Sequence, residues 1–395
     1  MKPAPTLDPG TARTWVDIDL QRIADNVDIL RSRLPATTDL LVPVKADAYG
    51  HGLVPVARTL EAAGVWGLGI AALDEAATLR AAGIRARLVV LMPIQPAEAA
   101  RALELEVVPA ITDRAQAEAV AAAAREARRT ATVHVEVDSG MGRCGVWDRD
   151  AVAFVQALLE LPGLEVGGMF THFSSADEAE RDHTDRQLAR FDAVVSALAE
   201  RGFRPRHVHV ANSAAALRFR GASRTLVRPG IAVYGSVEEI ESGPRDDGKE
   251  LDRAGFVPAL SWHARVAAIK RLPAGESVSY HRLYAARGEE RIALLAVGYG
   301  DGLPLALSNR GRVLVRGRAV PVRGAVCMDV TIVDATPFPD LEPGEVATLI
   351  GRQGAASRSV VDVARESGLT SYAVFTGITA RVARRYRKGD QDVGS

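Results

Sequence analysis

At 395 residues the chain is long for one domain, and since domains commonly run ~100–200 residues and barrels somewhat longer, two domains are expected. Forty-nine basic residues balance 49 acidic ones, which leaves no long-range field to draw in nucleic acid or an anionic membrane and points to a small-molecule partner. Cys144 and Cys327 are too few for a disulfide framework and wrongly spaced for zinc, and neither the opening "MKPAPTLDPG" nor any later stretch has the apolar length of a leader or a membrane span; a soluble cytoplasmic protein is expected.

In chain order, the early run "TWVDIDL" precedes the first helix-like segment and stands apart from the repeating pattern of the barrel. From about Leu40, short Val- and Ile-rich runs alternate with Ala-, Leu- and Arg-rich segments of helical period. The predicted strands are "LLVPVKA", "WGLGIA", "RLVVLM", "EVVPAIT", "TVHVEVD", "EVGGMF", "HVHVAN" and "LVRPGI". Segments such as "EAATLRAAG", "AQAEAVAAAAREA" and "RQLARFDAVVSALAERG" are the helices between them. Eight strands alternating with helices predict a (β/α)8 TIM barrel, whose functional groups gather at the carboxyl ends of the strands. Those ends carry Lys45, Met92, Asp138, His172, Asn212 with Ser213, and Arg228 ahead of Pro229 and Gly230. The polar segment "SVEEIESGPRDDGKELDRAG" reads as an exposed connection, and the runs beyond it are β-rich with tight turns. The fold class is therefore α/β, with a barrel over residues 1–245 and a mostly-β C-terminal domain over 246–395. The strand at 14–20 is left to pair with that second domain.

The stretch "VPVKADAYGHG" places a single lysine at the end of an apolar run. Such a lysine can be a snorkelling side chain or half of a structural ion pair. Burial also lowers a lysine pKa and makes the amine a nucleophile, whose usual product with an aldehyde cofactor is a Schiff base, as in pyridoxal-phosphate enzymes. That cofactor needs a phosphate cradle of backbone N–H groups and hydroxyls, which a barrel often builds after its seventh and eighth strands. Ser213 in "ANSAAAL", the backbone of Gly230 and Ile231, and the phenol of Tyr49 are candidates; Ser213 taken alone reads first as an ordinary helix cap and becomes a phosphate candidate in company with these neighbours.

The motifs "VKADAYGHG", "VDSGMGRCG", "THFSSADE", "HVANSAA", "RPGIAVYG", "VGYGDGLP" and "CMDVTIVD" resemble, in order, those of the alanine racemases. The resemblance implies a barrel with a C-terminal β domain, working as a homodimer whose two sites each take residues from both chains. It implies that Lys45 carries pyridoxal 5'-phosphate as a Schiff base and serves as the base on one face of the substrate α-carbon. Tyr299, supplied by the other subunit, would serve on the opposite face, as inversion requires. His172 and Arg228 would favour its phenolate, and Asn212 would lie at the cofactor. Arg228 would donate to the pyridine nitrogen, which a guanidinium can hydrogen-bond but not protonate, so that the ring stays a weak electron sink and transamination is disfavoured. His209 would orient Arg228. Arg143 would clamp the substrate carboxylate with its planar fork, helped by the backbone N–H of Met328.

Glu136 stands where many family members carry a carbamylated lysine, and is expected to replace that carbamate in orienting Arg143. His281 replaces the glycine of a usual "SYG", and Ala380 replaces a phosphate-binding tyrosine of some members, which bears on substrate range and cofactor affinity. The implied activity is L-alanine/D-alanine interconversion, with D-alanine going to peptidoglycan. Serine or a broader amino-acid set is the alternative within the family, and a non-catalytic pyridoxal-phosphate carrier lies further away. A metal-dependent hydrolase reading rests on His207 and His209 sharing a strand face, but no further ligand set follows in a sensible order, so no metal is expected. The "GLGIAA" run lacks the helix-opening glycine turn of a dinucleotide site.

Overall fold

The structure, a computed structural model, describes residues 11–240, 254–389 and 391–393. The opening "MKPAPTLDPG" and most of the polar connection before Gly255 lie outside these residues. Two compact units are present: Met1–Arg22, Tyr49–Gly52 and Val257–Ser395 form one, and Ile23–Ala48 and Leu53–Phe256 the other.

In the second of these, eight parallel strands close into a barrel. They are Asp39–Pro43, Gly67–Ile70, Arg87–Pro93, Val107–Ile111, Ala131–Asp138, Leu164–Phe170, His207–His209 and Leu226–Val227. Closure is explicit at both places where an open sheet would end: Ala110 pairs with His134 between the fourth and fifth strands, and Leu226 pairs with Asp39 between the eighth and first. Near-continuous apolar runs suit strands covered on both faces, and Leu40, Leu41, Val42 and Pro43 are buried together with all of Gly67–Ile70. The last two strands are shorter than the apolar runs that predict them. Pro229 cannot donate to a ladder, and a helix already begins at Ser213, so pairing stops early on each.

The helices behave as their sequences require. Arg114–Glu126 starts on Asp113, whose side chain accepts from Gln116 N at 2.9 Å, and buries Ala117, Val120, Ala121 and Ala124 along one stripe. The long helix Asp182–Glu200 begins ahead of the expected Arg186 and buries Phe191, Val194 and Leu198.

The other unit is built around the 13-residue strand Leu260–Leu272. Thr14–Asp19 pairs antiparallel with it, Trp15 opposite His263, and runs parallel to Ala383–Lys388 on its other edge. Val346–Gln353 and Glu290–Leu295 pair with further stretches of the long strand. Trp262 is fully buried and satisfies its indole N–H on Thr14 Oγ1 at 3.0 Å, so the N-terminal strand is tied in by side chain as well as backbone. Two helices, Val360–Ser367 and Ser371–Gly377, complete it, capped by Ser359 and Thr370.

Candidate active site

Lys45 sits just past the first barrel strand, and burial lowers its pKa, with the guanidinium charges of Arg143 and Arg228 adding to the effect and Glu75 and Glu136 opposing it. The backbone after it is unusual. Ala46, Asp47, Ala48 and Tyr49 all have φ between 52° and 55°, a left-handed turn that costs roughly 1–2 kcal/mol per non-glycine residue. Side chains hold it there: Glu75 Oε1 accepts from Ala46 N at 2.7 Å, and Asp47 Oδ1 accepts from Leu53 N at 2.7 Å. Strain of this kind persists only where the surroundings over-determine it, and here it fixes the residues just beyond the lysine.

Arg228, at the end of the eighth strand, is buried and almost fully saturated. Nη1 donates to His209 Nδ1 at 2.9 Å and to the His209 carbonyl at 2.8 Å. Nη2 donates to the Thr171 carbonyl at 2.7 Å and to His172 Nδ1 at 3.1 Å, with Val210 O at 3.3 Å sharing. That engages four of its five N–H groups, and the Nε–H has no acceptor among the described residues. Burial pulls the Arg228 pKa down to about 10, against the opposing charge of Glu136. His172 and His209 are pushed well below the usual histidine range by burial and by Arg228, so both are neutral and accept from it through a lone pair.

Glu136 faces the same interior from the fifth strand. Burial raises its pKa, Arg143 and Arg228 oppose that, and its Oε2 is buried with no hydrogen-bond partner among the described residues. The expected orientation of Arg143 by Glu136 is not made through an ion pair, since the guanidinium is exposed and the two side chains form none. The Arg143 loop is shaped instead by Asp138, whose Oδ1 accepts from the backbone N–H groups of Gly140, Met141 and Gly142 at 2.9, 2.9 and 3.1 Å. At the seventh and eighth strand ends, Asn212 caps the helix Ser213–Arg218 by accepting from Ala215 N at 3.0 Å. Ser213 Oγ accepts from Ala232 N at 3.2 Å, which joins that helix start to the turn of Gly230 and Ile231.

In the other unit, Tyr299 opens a short turn whose backbone is pinned to the Met328 loop. Tyr299 N donates to Cys327 O at 3.0 Å and Gly300 N to Met328 O at 2.9 Å. Asp301, fully buried, accepts from Gly298 N at 3.0 Å and pairs with Arg13 at 2.5 Å. The side chains of Tyr299 and Met328 are 42% and 51% exposed, in company with Tyr280 at 67%. Tyr49 is buried against Tyr372 with ring centroids 5.8 Å apart, and burial pushes its phenol up to about 12, so it is a hydrogen-bond donor rather than a base. His281 takes φ 60°, a left-handed conformation that glycine adopts at less cost.

Sequence reasoning passed over Glu75 and His134. His134 shares a strand face with Glu136 and Asp138 at a spacing of two, which was the available signal. His209 has both ring nitrogens engaged, Nδ1 by Arg228 and Nε2 by His134 at 2.9 Å, so it has no lone pair to give a metal.

Three of the imidazoles lowered by burial carry a stability consequence. The folded barrel holds His134, whose pKa burial lowers to about 3, as well as His172 and His209, in the neutral form. An unfolded chain protonates each below about pH 6.5, so the unfolded state binds more protons, and stability is complete above that pH and declines as pH falls toward the folded values. His134 alone is expected to remove about 2 kcal/mol between pH 7 and pH 5. Urea midpoints measured across that range should fall; a flat or rising midpoint would show that these histidines are protonated in the fold.

Two family models match the chain: Alanine racemase, N-terminal domain, over residues 18–238, and Alanine racemase, C-terminal domain, over residues 259–386. The alanine racemase of Halothermothrix orenii is 37% identical over 377 residues, 95% of this chain and 97% of that protein. The crystal structure of the Bacillus anthracis alanine racemase with bound L-Ala-P superposes with a TM-score of 0.86 at 38% identity, covering 98% of each chain. That of the Bartonella henselae alanine racemase with covalently bound pyridoxal phosphate gives 0.84 at 25% identity, covering 95% of this chain and all of the other. The chain belongs to the alanine racemase family.

Proposed function

We propose that the chain interconverts L- and D-alanine with pyridoxal 5'-phosphate held at Lys45, as a cytoplasmic homodimer in which Lys45 of one subunit and Tyr299 of the other act on opposite faces of the substrate α-carbon. The observation that carries this reading is Arg228. A saturated, buried guanidinium with one N–H left over fits a ring nitrogen that needs a donor but is not to be protonated. The rest of the donor set agrees. Ser213, the backbone of Gly230 and Ile231, and the phenol of Tyr49 would hold the phosphate, with Asn212 fixing the helix start that presents Ser213. When bound, pyridoxal phosphate supplies an aldehyde that joins to amines and a conjugated ring that acidifies the α-carbon of an attached amino acid.

The residues divide the remaining work. Lys45 Nζ, with its pKa lowered by burial and by neighbouring guanidinium charge, takes or returns the α-proton on its face. Tyr299 Oη of the partner subunit does the same on the other face. A tyrosine titrates near ~10 when unperturbed, so the phenolate has to be favoured by its surroundings, and the proposed donor is the Nε2–H that His172 keeps because its Nδ1 is engaged by Arg228. Arg143 receives the substrate carboxylate with the N–H of Met328, and Glu136, whose pKa burial raises while the charges of Arg143 and Arg228 oppose that, takes the place of a modified lysine, acting on Arg143 through its charge rather than through an ion pair. The exposed Tyr280, Tyr299 and Met328 form the covered surface of the dimer, and two free thiols suit a reducing compartment. The D-alanine formed supplies peptidoglycan. No helix among the described residues is long and apolar enough to cross a membrane.

Complementation tests the shared site. Lys45→Ala and Tyr299→Phe proteins, each inactive alone, are unfolded together and refolded as a mixture. A mixed dimer rebuilds one complete site of two, so equal mixing should restore about a quarter of wild-type D-alanine formation. A mixture as inactive as its components would mean that both bases come from one chain.

A further inference from the structure

The hydrogen-bonded line that begins at Arg228 does not stop at His209. His134, buried on the fifth strand, places its Nδ1 2.9 Å from His209 Nε2. A guanidinium only donates, so His209 Nδ1, 2.9 Å from Arg228 Nη1, presents its lone pair. A neutral imidazole with an unprotonated Nδ1 carries its proton on Nε2, and that proton points at His134 Nδ1. His134 therefore accepts on Nδ1 and keeps its own proton on Nε2. Burial favours the neutral form of both rings. The room for this arrangement is provided by Gly168, paired with His134 across the sheet, where a Cβ would lie 2.6 Å from His134 Cδ2 and Nε2. Phe170 stacks on the His209 ring at 4.7 Å between centroids and 9° between planes, which holds the ring in plane while both of its nitrogens are engaged.

We propose that His134 is a positioning residue for the reaction: by accepting from His209 Nε2 it holds His209 in the tautomer whose Nδ1 receives Arg228, and thereby fixes the direction of the Arg228 Nε–H. This rests on the reading that Arg228 faces the cofactor's ring nitrogen. Without an acceptor at position 134, the His209 Nε2–H is a buried unpaired donor, and moving the proton to Nδ1 relieves it. That proton then meets an Arg228 N–H head on, and the guanidinium turns away.

The first measurement needs no cofactor. Long-range 1H–15N spectra of the cofactor-free protein labelled at its eight histidines report which nitrogen of His209 is protonated. The wild type and His134→Asn, whose Oδ1 stands near the place of Nδ1, should show His209 protonated on Nε2. In His134→Phe the proton should move, wholly or in part, to Nδ1. Titration with pyridoxal phosphate, followed by absorbance, should then give about tenfold weaker binding to His134→Phe, the equivalent of one lost buried hydrogen bond, and wild-type binding to His134→Asn. A wild-type His209 protonated on Nδ1 would overturn the proposal without any variant, which keeps the test sound if His134→Phe does not fold. A wild-type tautomer in His134→Phe would overturn it too, as would a shifted tautomer with unchanged cofactor binding. Arg228→Gln separates the two claims: unchanged cofactor affinity and absorbance in that variant would refute the placement of Arg228, while the cofactor-free spectra still judge His134.

Discussion

Replacing Lys45 by alanine is expected to lower D-alanine formation from L-alanine by at least about 10⁴-fold, because one substitution removes both the nucleophile for the cofactor aldehyde and the base on one face. The loss should be chemical rather than structural. Lys45 is not part of the hydrogen-bond scaffold of the loop: the left-handed turn behind it is held by Glu75 and Asp47, which the substitution leaves in place. The melting temperature of Lys45→Ala should therefore stay near that of the wild type, and the absorbance of a cofactor joined to the protein should disappear. Near-normal turnover in this variant would place the nucleophile elsewhere. Restoration by a small external amine would support the assignment, since the amine replaces the lost base without altering the fold.

The second large effect is expected at Tyr299. Its side chain is 42% exposed and the residue is anchored through its backbone to Cys327, so Tyr299→Phe removes one hydroxyl and leaves the turn intact. Stability should change by no more than about 0.5 kcal/mol, as for other surface substitutions. Racemisation should fall by about 10²–10⁴-fold, the usual contribution of a positioned acid–base group. Exchange of the α-proton with solvent should survive for one enantiomer and be lost for the other, because Lys45 still serves its own face. Equal loss of exchange for both enantiomers would contradict a division of labour between two bases.

Much of the barrel was legible because parallel strands buried on both faces read as apolar runs, and all eight runs became strands. The pairing of Thr14–Asp19 with Leu260–Leu272 is a long-range event that local patterning does not specify, yet the run's β-branched and aromatic composition marked it as a strand. The left-handed turn from Ala46 to Tyr49 was not legible. Alanine and tyrosine have no preference for positive φ and a single aspartate does not announce four such residues in a row; the turn is held by Glu75, a distant residue in sequence, which accepts from Ala46 N. Glu136 shows a different limit. Its position and burial follow from strand alternation, but whether a carboxylate reaches a guanidinium depends on side-chain length and loop course, and in this chain it does not pair with Arg143. His134 was hidden by its ordinary appearance in a strand. Only the distance to His209 shows that the interior of this barrel carries a line of neutral hydrogen-bonding rings where apolar side chains usually pack.

The same interior explains why the arginine is so well fixed. Five acceptors from the ends of the sixth and seventh strands surround Arg228, and two of them are imidazole nitrogens held neutral by the same burial that lowers the arginine's own pKa. A buried guanidinium without a paired carboxylate is expensive unless its donors are satisfied, and here they are, save the Nε–H.

Proton NMR of the cofactor-loaded protein with L-alanine in D2O, with a chiral assay on the same sample, tests the opposed-base racemase most directly. Loss of the α-proton signal together with growth of D-alanine is the predicted result. Loss of the α-proton without D-alanine would contradict the opposed-base site, and an unchanged L-alanine sample would contradict alanine racemisation itself.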